Sequence, residues 1–220
     1  MTRFFLGITG ASGHAYADGL LRALVAAGHE VDVSVTESGC KVLRHELGID
    51  AGTRGEKLGA ALAGWIGADA AKSVRAHPCD AVEAPPSSGT ALVGGAILCP
   101  CSMGTLARVS AGFSSNLVER AADVALKEGK RLLLVPRETP LSIVHLENML
   151  RLARLGAIVL PAMPGFYHHP EMKEDLVNHV VGKVLDRLGV ENTVGARWKG
   201  LRPPDEDQGI EPRGGGASQP

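Results

Sequence analysis

The opening 35 residues confine the chain to a small set of folds. Phe4–Thr9 is a short apolar run that stops at Gly10, the pattern of a strand buried on both faces. From His14 to Ala27, Tyr16, Leu20, Leu21, Leu24 and Val25 recur at helical spacing, and Gly28 ends the pattern as a C-cap. Val31–Val35 is strand-like again, and Glu37–Leu47 is helical again. Strand, glycine turn, helix, strand at this spacing predicts a βαβ unit, with parallel strands and a right-handed crossover.

Regularity is interrupted and then returns. Leu58–Ile66 reads as a helix, but Pro78, Pro85 and Pro86 with Ser87–Gly89 make the rest of residues 51–94 loop-like. Beyond them, strands are expected at Ala96–Cys99, Leu132–Val135 and Ile158–Leu160. Helices are expected over Thr105–Ala111, Leu117–Glu128, Ser142–Leu155 and Lys173–Leu188. The expectation is a three-layer, Rossmann-like α/β fold: about five mostly parallel strands flanked by helices, filling residues 1–200 as one domain. From Leu201 the chain is rich in Pro and Gly with almost nothing to bury, so 201–220 is expected to be a disordered tail.

Composition excludes several classes. With 23 basic and 24 acidic residues, no net field favours nucleic acid or anionic lipid. No apolar run approaches the ~20 residues that span a bilayer, and the start has no signal-peptide pattern. The four cysteines, Cys40, Cys79, Cys99 and Cys101, show no framework spacing, which suits a reduced, cytoplasmic protein. His168-His169 has no third ligand at a usable spacing, so no metal site is expected.

The candidate chemistry sits at strand ends, where open parallel sheets bind their ligands. Gly10-Ala11-Ser12-Gly13 offers backbone amides, a helix amino terminus and a hydroxyl to an anion; a plain turn with Ser12 as N-cap reads equally well. Thr36 ends the second strand. Pro100-Cys101-Ser102-Met103-Gly104-Thr105 ends the next, with Ser102 and Thr105 also able to cap a helix. Three hydroxyl-bearing strand ends suit a phosphate and a ribityl chain. A nicotinamide dinucleotide is disfavoured, because no acidic residue ends the second strand.

Cations follow. Arg120, Asp123 and Lys127 share one helix face, a pattern that a solvated, salt-bridged face also produces. Arg137-Glu138 directly follows an apolar strand and is bracketed by Pro136 and Pro140, which favours a rigid phosphate fork beside a proton-handling carboxylate. Tyr167 and Lys183 add a hydroxyl and an ammonium for an oxyanion. Glu46 and Trp198 carry no local pattern.

Taken together, GITGASG, PCSMGTLA, NLVERAADVALKE, VPRETPL with HLENM, PGFYH and Arg197-Trp198 resemble the UbiX-type flavin prenyltransferases, within the superfamily that includes flavin-dependent cysteine decarboxylases. The resemblance covers residues 3–199. It implies transfer of a dimethylallyl group from dimethylallyl phosphate to N5 and C6 of reduced FMN, without metal, to make prenylated FMN for a UbiD-type decarboxylase. It places flavin contacts on Gly10, Ala11, Ser12, Thr36, Ser102, Met103, Gly104, Thr105 and Arg137. The allylic phosphate falls to Arg120, Lys127, Tyr167 and Lys183, with Trp198 as an electron-rich surface. Ser12, Glu46, Lys127 and Glu138 are the implied catalytic groups, and a homo-oligomer, commonly a dodecamer, is the implied assembly. Lys183 stands where an arginine is common, and His14 where a small residue is usual. The competing readings are a flavin-dependent cysteinyl decarboxylase and a non-catalytic flavin-carrier subunit.

Overall fold

The computed structural model describes residues 1–198 and residue 200. The expected disordered tail, 201–220, lies outside the described residues. Six strands form one sheet: β1 (Arg3–Ile8), β2 (Glu30–Val35), β3 (Val74–His77), β4 (Ala96–Cys101), β5 (Leu132–Pro136) and β6 (Ile158–Val159). Their order is β3-β2-β1-β4-β5-β6, and every pairing is parallel. The chain winds outward from β1 to β3, then returns to place β4 beside β1. The switch point therefore lies between the ends of β1 and β4.

Among the described residues, eight α-helices cover the two faces: α1 (His14–Ala26), α2 (Glu37–Leu47), α3 (Leu58–Ile66), α4 (Ala68–Ala71), α5 (Met103–Ser110), α6 (Leu117–Lys127), α7 (Ile143–Arg154) and α8 (Lys173–Leu188). Strand alternation divides the core in two. Phe4, Leu6 and Ile8 pack with Leu20, Leu21 and Leu24 of α1, Leu43 of α2, Leu58 of α3 and Val181 and Leu185 of α8. Phe5 and Leu98 face the other side, with Leu106 of α5, Val118 and Ala122 of α6 and Leu152 of α7. Each fully buried Leu, Ile or Phe contributes about 1.5–3 kcal/mol relative to leaving it exposed. Gly7 lets α6 approach β1: a Cβ there would lie 2.7 Å from Val118 Cγ1 and 2.6 Å from Leu98 Cδ2.

The expected Rossmann-like α/β sheet is present with every pairing parallel, and the expected count of about five strands is corrected to six among the described residues. The missed strand is β3, inside the stretch assigned to loops. It is a short edge strand bonded only to β2 and largely unburied, so its sequence, Val-Arg-Ala-His, lacks the apolar run of a central strand. His77 at its end joins Asp32 of β2 through Nε2 at 2.8 Å, a buried polar pair linking edge to core. β4 also runs past the expected Cys99 to Cys101, with a register shift against β5 between Leu98 and Cys101. No helix among the described residues is long and apolar enough to cross a membrane.

Candidate active site

At the switch point one residue bridges the two turns, with its amide as well as its hydroxyl. Thr9, fully buried at the end of β1, donates from Oγ1 to the Pro100 carbonyl at 2.8 Å and accepts from the Ser102 amide at 2.7 Å. That pair of bonds locks the glycine turn after β1 against the turn after β4. Sequence reasoning counted Thr9 only as the last strand residue; its signal is a hydroxyl at a buried strand end.

In the glycine turn, Gly13 is the N-cap of α1 with φ 110°, a left-handed backbone that favours glycine, and the N-cap position has no side chain to cap the helix. Ser12 is thus not the N-cap that the plainer reading proposed. Glu46 of α2 does that work instead: its carboxylate accepts from the Gly13 amide at 3.0 Å and the His14 amide at 2.8 Å. Burial alone would raise the Glu46 pKa, but hydrogen bonds from Ser12, His14 and Gly13 outweigh it, and the net shift is downward. Glu46, illegible in sequence, therefore belongs to the glycine turn. The amides of Gly10, Ala11 and Ser12 have no partner among the described residues.

The other hydroxyls are caps as well as candidate contacts. Thr36 Oγ1 accepts from the Gly39 amide at 3.2 Å and caps α2. Ser102 Oγ caps α5 by accepting from the Thr105 amide at 3.3 Å, and donates to Thr105 Oγ1 at 3.1 Å. Thr105 Oγ1 also accepts from Arg108, whose guanidinium pairs with the fully buried Glu119. Met103 turns its side chain into the core, so only its amide, with that of Gly104, is left to bind anything at the first turn of α5.

Arg137 ties the turn to a cleft. Its Nε is buried without a hydrogen-bond partner, and its Cδ would lie 3.9 Å from a Cβ on Gly13. Arg137, Glu138, Thr139, Leu141, Met149 and Met163 line a mostly apolar cleft of about 280 Å³. Glu138 is exposed there and accepts from the Thr139 amide at 3.0 Å. A half-buried guanidinium whose Nε has no partner, beside free turn amides and an apolar cleft, fits a phosphorylated planar cofactor such as FMN.

A second pocket, of about 220 Å³, brings Tyr167, Lys183 and Trp198 together with His179, Asp186 and Arg197. Tyr167 meets Trp198 edge-to-face at 5.1 Å between centroids. Arg197 binds Asp186 through two bonds of 2.8 Å. The remaining pair stays apart within one chain. Arg120 is bonded to Asp123 at 3.3 Å and Lys127 to Glu128 at 3.1 Å on the surface of α6, the salt-bridged face of the plainer reading. Lys127 is the last residue of α6, just before β5, so it lies toward the edge where strands start, opposite the cradle. Among the described residues, no three His, Cys, Asp or Glu side chains form a metal-holding group.

Residues 1–185 match the Flavoprotein family model. A flavin prenyltransferase UbiX of Halalkalibacterium halodurans is 46% identical over 89% of this chain and 92% of that protein. The chain belongs to the UbiX flavin prenyltransferase family. The Pseudomonas aeruginosa flavin prenyltransferase UbiX is 44% identical over 89% of this chain and 93% of its own. Among solved structures, a UbiX protein (PadA1) in complex with FMN and dimethylallyl pyrophosphate superposes with a TM-score of 0.78 at 34% identity, covering 91% of this chain and 99% of that one. A dodecameric FMN-dependent UbiX-like decarboxylase from Escherichia coli gives 0.77 at 40% identity, covering 90% of this chain and all of that one.

Proposed function

We propose that the protein is a flavin prenyltransferase that joins the dimethylallyl group of dimethylallyl phosphate to N5 and C6 of reduced FMN, for use by a UbiD-type decarboxylase. The observation that carries this reading is Arg137: a guanidinium with a buried, unpartnered Nε, set between the glycine turn and an apolar cleft, in a chain of this family. Reduced FMN supplies the nucleophilic N5 and C6 when bound.

The amides of Gly10, Ala11, Ser12, Met103 and Gly104, the hydroxyls of Thr36, Ser102 and Thr105, and Arg137 hold its phosphate and ribityl chain. Glu138, beside Arg137 in the cleft, handles the proton at N5 and at the leaving phosphate. Ser12, backed by Glu46, is the second proton-handling group. As phosphate departs, negative charge grows on its oxygens, and donors placed there bind it more tightly than in the ground state. Tyr167 and Lys183 supply such donors from one pocket. The dimethylallyl carbons become electron-poor at the same moment, and the Trp198 ring offers them a π face. The apolar cleft walls keep water from capturing them.

Lys127 completes the phosphate set only from another copy of the chain, because α6 ends with it at the sheet edge opposite the cradle, while Arg120, in the first turn of α6, is held by Asp123 on the subunit surface where a second copy can meet it. A homo-oligomer, which we take to be a dodecamer, is therefore part of the proposal. Its support is the exposed apolar face of α7, where Ile143, Val144, Leu146 and Leu150 lie open on the single chain. The test is anaerobic incubation of the reduced, FMN-loaded protein with dimethylallyl phosphate and a chelator, following inorganic phosphate. The reading expects about one phosphate per bound FMN; none released from folded, loaded protein would reject it.

A further inference from the structure

The pocket beside Lys183 contains a hydrogen-bond chain that the prenyl-transfer reading leaves unused. The Gly165 amide donates to His179 Nδ1 at 2.9 Å, and His179 Nε2 lies 3.1 Å from Tyr167 Oη. A backbone amide only donates, so Nδ1 must present its lone pair; a neutral imidazole then carries its proton on Nε2. Burial, with His168 and Lys183 as further causes, lowers the His179 pKa and keeps the ring neutral near pH 7. The ring is also clamped. His168 stacks on it at 5.4 Å and 22°, and Tyr167 meets it edge-on at 5.5 Å.

An Nε2–H can only donate, so the Tyr167 oxygen accepts, and the phenolic proton is turned away from His179. The one acid lining that pocket, Asp186, is already committed to Arg197 and Asn192. We propose that His179 is a positioning residue: by donating to Tyr167 Oη it presents the phenolic O–H, beside Lys183, to the phosphate of the allylic substrate. This rests on the prenyltransferase reading and adds to it the group that orients one of its phosphate donors. Without the imidazole, the phenol is free to spend its proton on water.

Two substitutions separate orientation from scaffolding. In His179→Asn the amide oxygen replaces Nδ1, so the Gly165 bond survives and the donor to Tyr167 is lost. In His179→Gln the amide nitrogen reaches the Nε2 position, so the reverse holds. The inference expects His179→Asn to lose about tenfold in kcat/KM for dimethylallyl phosphate, with FMN affinity unchanged, and His179→Gln to stay within about twofold. An active Asn variant, or an impaired Gln variant beside it, would mean that His179 serves only the Gly165 turn and would overturn the inference. Ring-nitrogen NMR of the wild-type, FMN-loaded protein gives a readout independent of turnover and of variant folding. A proton on Nε2 and none on Nδ1 is expected; the opposite tautomer or an imidazolium near pH 7 would overturn it. If the wild type transfers no prenyl group, the functional reading fails, and titration with inorganic phosphate still decides this one: His179→Asn should bind it more weakly than wild type, and equal affinity would refute the role.

Discussion

His14 sits fully buried at the foot of the glycine turn, its Nε2 3.0 Å from the Thr9 carbonyl, with Nδ1 lacking any partner among the described residues. Burial lowers its pKa from 6.5, so the folded protein keeps the ring neutral while the unfolded chain protonates it. The folded state then binds fewer protons, and stability present above about pH 6.5 is lost as pH falls toward the folded value. One such group contributes a slope of at most about 1.4 kcal/mol per pH unit. Melting temperature measured between about pH 7.5 and about pH 5.5 should therefore fall less steeply in His14→Gln, which retains a donor for Thr9, than in wild type. His29 and His179 are shifted the same way, so the slope should shrink without vanishing. Identical slopes would mean that His14 does not stay neutral. The cleft residues divide by role in the same manner. Arg137→Ala should weaken FMN binding by at least about tenfold in equilibrium titration, as the loss of a charge-assisted phosphate contact requires. Glu138→Gln should keep FMN and lose about 100-fold in single-turnover prenyl transfer. Legibility at this scale followed locality. Arg137-Glu138 stood out because prolines bracket a charged pair after an apolar strand. Glu46 did not, because its partners, the Gly13 and His14 amides, are 33 and 32 residues away.

At the scale of elements, buried strands and capped helices were legible because each writes its own period. β1 and β5 are short apolar runs ending at turns, β2 alternates valine with Asp32 and Ser34, and Ser102 and Ser142 announce α5 and α7 as N-caps. The edge strand β3 was not, since half of its surface faces no core. The α7 helix carries a further message. Leu152 is its one fully buried residue, while Ile143 is 74% and Val144 61% exposed, so its apolar content is not spent on its own sheet. A second copy of the chain is the covering that the proposed oligomer supplies. Leu146→Glu with Leu150→Glu should leave the subunit folded but shift light-scattering mass toward smaller species, since burying unpaired carboxylates in an apolar contact costs several kcal/mol. An unchanged mass would place the subunit contact elsewhere.

For the whole molecule, topology does the positioning. The return of β4 beside β1 sets two glycine- and hydroxyl-bearing turns against each other, and Thr9 bonds them into one cradle. The same topology sends the Lys127 end of α6 to the far edge of the sheet, so one chain holds the flavin cradle without bringing its own Lys127 to it. The sequence pattern could list the cations but not divide them between subunits, because that division depends on where each helix ends relative to the sheet. On this cradle rests the proposed formation of a carbon–carbon and a carbon–nitrogen bond on a flavin. Its most direct test is mass spectrometry of the flavin extracted after anaerobic incubation of the reduced, FMN-loaded protein with dimethylallyl phosphate. The account predicts FMN carrying one added five-carbon unit; unmodified FMN recovered from folded, fully reduced, flavin-loaded protein would contradict it.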